Sequence, residues 1–101
     1  MSIGALMHSG FYSYCTYDDL KEWFILTQNN QTIVFKDTNN QQLHLNSLFI
    51  EAENTPLYIN INGYILYIPA NESRNYDYES INSIQVINNL GTKLRFSGQY
   101  F

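Results

Sequence analysis

The alternation of apolar and polar positions is clearest between Leu57 and Pro69, which read Leu-Tyr-Ile-Asn-Ile-Asn-Gly-Tyr-Ile-Leu-Tyr-Ile-Pro. Two runs rich in β-branched and aromatic residues flank Asn62-Gly63. That dipeptide suits a two-residue type I′ turn, because both central positions need positive φ. The turn fixes a register in which Ile61 opposes Tyr64, Ile59 opposes Leu66 and Leu57 opposes Ile68. These pairs share one face, predicted to be buried, while Tyr58 opposite Tyr67 and Asn60 opposite Ile65 form a half-exposed face. A slip of one residue would turn Leu57, Ile59 and Ile61 into water.

Similar patterns recur along the chain. Trp23–Thr27 and Thr32–Lys36 are strand-like, and the polar segment Gln28–Gln31 between them predicts a second hairpin. Leu43–Leu45 alternates around His44, and Leu48–Ile50 resumes the pattern. Glu51–Pro56 reads as a polar link, with Pro56 fixing entry to the central hairpin. Ala70–Asn75 reads as a loop. Tyr76 and Tyr78, then Ile84–Ile87, then Leu94–Phe96 complete the strand signals, separated by polar turns. About seven short strands with turn signals every 8–12 residues predict an all-β fold. The expected architecture is a small antiparallel β-sandwich or flattened barrel; residues 17–22 read either as one short helical turn capped by Asp18 or as a loop entering a strand.

Residues 17–101 read as a single sandwich domain. Residues 1–16 mix Ile3, Leu6, Met7, Phe11, Tyr12 and Tyr14 with Gly4, Ser9 and Gly10. A free tail is normally poorer in apolar residues. The segment therefore reads as an N-terminal arm, packed on the body or on a neighbouring subunit, or as an edge strand around Phe11–Cys15.

Composition alters this picture in two respects. The chain has 101 residues, 45% of them hydrophobic and 16% aromatic, enough for one core and too few for two domains. Only 14% are charged, well under the usual quarter. Asn, Gln, Ser and Thr take their place, giving a weakly repulsive surface that a partner can desolvate; an AT-rich coding sequence would give the same bias. The net charge is −4 and the five basic residues are scattered. This lacks the electrostatic footprint of a nucleic-acid-binding protein. No apolar run approaches the length of a membrane span, and no secretion signal is expected.

Candidate chemistry is sparse. His8, His44 and the single Cys15 lack the number and spacing of a zinc site, so neither metal nor cofactor is expected. A Cys15 dyad with His8 or His44 would need a cation to lower the thiol pKa, and Cys15 lies among Tyr12, Tyr14 and Tyr17 with no flanking cation. The carboxylates Asp18, Asp19, Glu51, Glu53, Asp77 and Glu79 sit in loop-like or entry segments, not around a cleft. Gly63, Gly91 and Gly98 read as isolated turn glycines and form no phosphate-cradling loop. A non-enzymatic protein is the expectation. The aromatic excess is the remaining feature. Tyr58 and Tyr67 are the best outward-facing residues for a protein interface or for stacking on a sugar.

Thr55-Pro56-Leu57-Tyr58-Ile59 with the Asn62-Gly63 hairpin, Ile81-x-x-Ile84-x-Val86 and Gly91-x-x-Leu94-Arg95-Phe96 together resemble small β-sandwich virion proteins of tailed bacteriophages. These are capsid decoration or auxiliary proteins and head–tail or tail components. The resemblance covers less than half the chain and carries no catalytic residue. It implies a structural protein of a phage particle, assembled in the host cytoplasm in many copies, whose partners are other virion subunits or itself. Ile3, Leu6, Met7, Phe11, Tyr12, Tyr58 and Tyr67 are the interface candidates on that reading. The alternative is a module that binds carbohydrate or a small ligand through exposed Tyr and Trp.

Overall fold

Asn62 and Gly63 adopt φ of 51° and 90°. The strands on either side pair as that turn requires: Ile61 with Tyr64, Asn60 with Ile65, Ile59 with Leu66, Tyr58 with Tyr67 and Leu57 with Ile68. The computed structural model describes residues 10–13, 23–37 and 39–100. Nine strands run through them: β1 (Gly10–Ser13), β2 (Phe24–Ile25), β3 (Thr32–Val34), β4 (Leu45–Ala52), β5 (Leu57–Ile61), β6 (Tyr64–Ile68), β7 (Ser73–Ile81), β8 (Ser83–Val86) and β9 (Lys93–Tyr100).

The strands build two antiparallel sheets. One has the order β1-β9-β4-β7, with β2 lying along the same edge of β9 as β1; the other has the order β3-β8-β5-β6. The chain is an all-β sandwich. Leu45, Leu48, Ile50, Ala52, Leu94 and Phe96 face inward from the first sheet. Ile33, Leu57, Ile59, Ile61, Ile68, Ile84 and Val86 meet them from the second, and Leu26, Phe35 and Ile81 complete one continuous core. The edge-on ring of Phe24 packs 5.5 Å from Phe96 within the first sheet, and the tilted ring of Phe35, just past β3, lies 5.9 Å from Phe96 and links the two layers. Each fully buried Leu or Ile contributes about 1.5–3 kcal/mol, so the alternating pattern is the main source of stability.

Several expectations are corrected. The strands number nine among the described residues rather than about seven. One reason is that the stretch after Ala70 divides at Asn82: β7 pairs with β4 in the first sheet, whereas β8 pairs with β3 and β5 in the second. β7 also begins earlier than its apolar residues indicate, because Ser73, Arg74 and Asn75 pair with Glu51, Ile50 and Phe49. The expected hairpin of Trp23–Thr27 with Thr32–Lys36 does not form. β2 pairs with β9 and β3 with β8, in opposite sheets. The 27–31 turn crosses between the layers, held by Asn30 N–H to the Asn88 carbonyl and Asn29 Oδ1 to the Leu90 N–H. Gly98 is not a turn residue: it is buried in the middle of β9. The helical turn expected near Asp18 lies outside the described residues.

Asparagine has a structural use here. Asn30, Asn40, Asn62 and Asn71 all occupy the left-handed region, with φ between 51° and 63°, where Asn is tolerated better than most residues. The Asn60 Oδ1 accepts the Gly63 N–H, and Asn62 Nδ2 donates to the Ser80 carbonyl. Asn88 bridges to the start of β5: its Oδ1 accepts the Tyr58 N–H at 3.1 Å and its Nδ2 donates to the Pro56 carbonyl at 2.9 Å.

Candidate interaction surfaces

The outer face of the second sheet carries the exposed apolar side chains of the central hairpin. Tyr58 and Tyr67 are about half exposed, at 47% and 51%, and their rings pack at a tilt of 51° with centroids 5.2 Å apart. They meet because they oppose each other in the β5–β6 register and project to the same side. Ile65 lies two residues along the same face at 63% exposure. Val34 on β3 adds a further exposed apolar side chain to this sheet. Tyr64 departs from expectation. Its register position is on the core-facing side, yet it is 64% exposed, because it sits at the turn end of an outermost strand. Leu66, the next residue on that side, is half-buried against the core.

The other interface candidates are placed as follows. Phe11 and Tyr12 belong to β1, opposite Gln99 and Gly98 of β9. Ile3, Leu6 and Met7 lie outside the described residues. Tyr58 and Tyr67 are thus brought together with each other, in the opposite sheet from Phe11 and Tyr12. The sequence pattern puts Ile65 on the half-exposed face without marking it as an interface candidate, and it does not reveal the exposure of Tyr64. The signal available was that a Tyr-Ile-Leu-Tyr-Ile run without polar residues cannot be covered on both faces if its strand is outermost.

Among the described residues four strand edges bound the two sheets, and three are blunted. β3 has three residues, and the Lys36–Gln42 bridge closes the chain just beyond it. β7 carries Arg74 and Asp77 and is interrupted against β4 by a register shift between Leu45 and Ser47. The β1–β2 edge consists of two short strands of four and two residues. β6 differs. It has five residues, no charge, no proline within it and no bulge against β5. Native edges are normally protected by short length, charge, proline or bulges.

The outer face of the first sheet is more polar. Trp23 lies under the Arg95 guanidinium, 4.0 Å from its ring centre, and Arg95 reaches Glu51 at 3.8 Å. Beside this row, Phe49 lies in a shallow depression of about 260 Å³ lined by Ser47, Asn75, Ser97, Gly98 and Gln99. None of these lining groups is a general base or a nucleophile paired with one.

Among the described residues one Ser–His contact exists, where the chain crosses between sheets. His44 Nδ1 lies 3.2 Å from Ser80 Oγ and closer still to Asn82 Oδ1, and Ser80 Oγ donates to the same Asn82 oxygen at 3.1 Å. An amide oxygen only accepts. Nδ1 therefore carries the proton in this arrangement and offers no lone pair to deprotonate Ser80, so the cluster ties a loop rather than activating a nucleophile. Among the described residues no group of three or more His, Cys, Asp or Glu is placed to hold a metal ion, and no helix is long and apolar enough to cross a membrane. No protein-family model matches the chain, and no curated protein matches its sequence.

Proposed function

We propose that this chain is a non-catalytic structural protein that works by assembly, as a subunit of a tailed-phage virion: a capsid decoration or auxiliary protein or a head–tail or tail component. The observation that carries this reading is β6, an uncharged apolar strand at a sheet edge that no described strand covers, in a sandwich whose other described edges are blunted. A sandwich acting alone gains nothing from such an edge and is exposed to aggregation by it, whereas a subunit with protein neighbours can have it covered. The low charge density of the surface acts in the same direction, since little electrostatic repulsion opposes contact between copies. The resemblance of residues 55–101 to phage virion proteins supplies the choice of particle. Its partners would be other virion subunits or itself, and its place the virion, assembled in the host cytoplasm. The test is the native mass and electron micrographs of the particle that contains the chain. A symmetric particle with a fixed copy number supports the proposal, and a chain recovered free of any particle sinks it.

A second reading has one specific observation in its favour. The tilted Tyr58 and Tyr67 rings present aromatic area on an exposed sheet face, rigid amphipathic surface on which a sugar ring could stack. A glycan array followed by titration with Tyr58→Ala and Tyr67→Ala variants separates the two. Saturable binding lost in both variants favours the ligand-binding module.

A further inference from the structure

We propose that β6 pairs with β6 of a second copy, antiparallel about a two-fold axis at Leu66, joining the two four-stranded sheets into one of eight strands. The inference rests on the assembly reading and names its contact. The argument starts from which main-chain groups are free. In an antiparallel pair, residues alternate between positions whose N–H and C=O point at the partner strand and positions whose groups point away. Tyr58 is of the second kind with respect to β6. Its carbonyl accepts the Ile87 N–H and its N–H donates to Asn88 Oδ1, both on the opposite side of β5 from β6. Its partner Tyr67 therefore also turns its N–H and C=O away from β5, and by alternation so does Ile65. These two residues hold four main-chain groups aimed out of the sheet edge, where no described strand pairs with them.

A second copy of the same strand fits that edge, and only one register uses all four groups. With Leu66 opposite Leu66 of the other copy, Ile65 opposes Tyr67 and Tyr67 opposes Ile65, so both pairs exchange N–H and C=O. The symmetric arrangement centred on Tyr67 places Pro69, which has no N–H, opposite Ile65. That centred on Ile65 places the turn residue Gly63 opposite Tyr67. The Leu66 register also matches side chains. On the outer face Ile65 covers the tyrosine of the other copy, and on the inner side the half-buried Leu66 residues meet. No charged residue lies anywhere in Tyr64–Ile68, so the two-fold axis brings no like charges together. The contact is isologous and closes on itself, making a dimer rather than a fibre.

The available area limits the strength. At roughly 200 Å² for a whole aromatic side chain, Tyr64 and Tyr67 leave about 230 Å² of each copy in water at their 64% and 51% exposure. Even with Ile65 and Leu66 added, the interface falls short of the roughly 1,200 Å² usual for a stable complex. Free copies should therefore associate reversibly. Copies held close together in a particle would pair far more completely, because the effective concentration is high.

The test uses the full chain at rising concentration, followed by sedimentation equilibrium. The expected result is a reversible monomer–dimer equilibrium with a dissociation constant on the order of 10 μM to 1 mM, a weak association in keeping with an interface below the usual size of stable complexes. Ile65→Lys should weaken it at least tenfold with an unchanged melting temperature, since that side chain is exposed. The register is tested by oxidation in a Cys15→Ser background. Leu66→Cys should yield a disulfide-linked dimer, because directly opposed residues bring their Cβ atoms within bridging reach, and Ile65→Cys should not. A chain that stays monomeric at 1 mM, an Ile65→Lys variant that associates as before, or equal cross-linking at both positions would overturn the proposal. So would association that Leu66→Cys fails to capture, which would place the contact on the sheet face. A monomer that is nevertheless a fixed-stoichiometry component of a particle overturns this contact and leaves the assembly reading standing. A dimer through β6 with no particle does the reverse.

Discussion

Gly98 lies directly beneath the carbonyl of Ser47. A Cβ placed on Gly98 would sit 2.6 Å from that backbone oxygen and 2.7 Å from Leu45 Cδ1. The contact occurs where β4 and β9 lose register, between the Leu45–Tyr100 and Ser47–Gln99 pairs, with Asn46 as the extra residue. The bulge turns the Ser47 carbonyl toward β9, and only glycine leaves room for it. The leucine can change rotamer, but the carbonyl cannot move without disturbing its ladder. Gly98→Ala should therefore destabilise the fold by about 2–4 kcal/mol, read as a lower urea midpoint with an unchanged slope. An unaltered midpoint would show that the bulge relaxes freely.

Ile59 and Ile65 lie on the two faces of one hairpin and should respond oppositely to the same change. Ile59 is fully buried, while Ile65 is mostly in water. Ile59→Asp places an unpaired carboxylate in the core and should cost upward of about 4 kcal/mol or prevent folding. Ile65→Asp should stay within about 1 kcal/mol of the parent. Thermal melts of the pair decide whether the buried face is the one carrying Leu57, Ile59 and Ile61. Similar losses at both positions would contradict the register.

That register was legible in the sequence because the Asn62-Gly63 turn is local: two residues with a strong conformational preference fix every pair up to Leu57–Ile68. The failure at Trp23–Lys36 has the opposite origin. Four polar residues between two apolar runs look the same whether the chain doubles back within a sheet or crosses to the facing one. Here the deciding contacts come from the 88–92 segment, some sixty residues away. Gly98 was misread for a related reason, since a close backbone approach inside a strand leaves no trace in periodicity. On the candidate surface, alternation placed Tyr58 and Tyr67 outward correctly, but it carries no information on strand order. The open edge of β6 and the exposure of Tyr64 follow from strand order alone.

Asn88 extends the second sheet with its side chain. Beyond Val86, its amide takes the place of a further strand residue, accepting from Tyr58 and donating to Pro56. Asn88→Ala removes both bonds and leaves a strand N–H and a carbonyl at the start of β5 unpaired. A loss of about 1–3 kcal/mol is expected. Hydrogen exchange provides the local check: the Tyr58 amide should lose protection, whereas Ile59, bonded within the sheet, should keep most of its own. Uniform loss across β5 would mean that the side chain supports the whole sheet rather than this one junction.

Arg95 joins three features whose values differ. Its guanidinium covers Trp23 at 4.0 Å, its Nη1 reaches Glu51 at 3.8 Å, and its Nε is buried without a hydrogen-bond partner. The ion pair is long and partly exposed, with side chains 26% and 36% accessible, so its contribution should be no more than about 0.5 kcal/mol. The cation–π contact at a half-open site adds about 0.5–1 kcal/mol, and the unpaired Nε subtracts a comparable amount or more. What remains is the aliphatic stem packed on the indole. Arg95→Met keeps that stem and removes the orphan nitrogen, so it should leave stability within about 1 kcal/mol of the parent or raise it. Arg95→Ala uncovers the ring and should lower stability by about 1–2 kcal/mol. Trp23 is the only tryptophan in the chain, so its emission reports the site directly. A red shift is expected in the alanine variant and little change in the methionine one. If Arg95→Met instead loses as much stability as Arg95→Ala, the charge and not the stem is what holds this row of the sheet together.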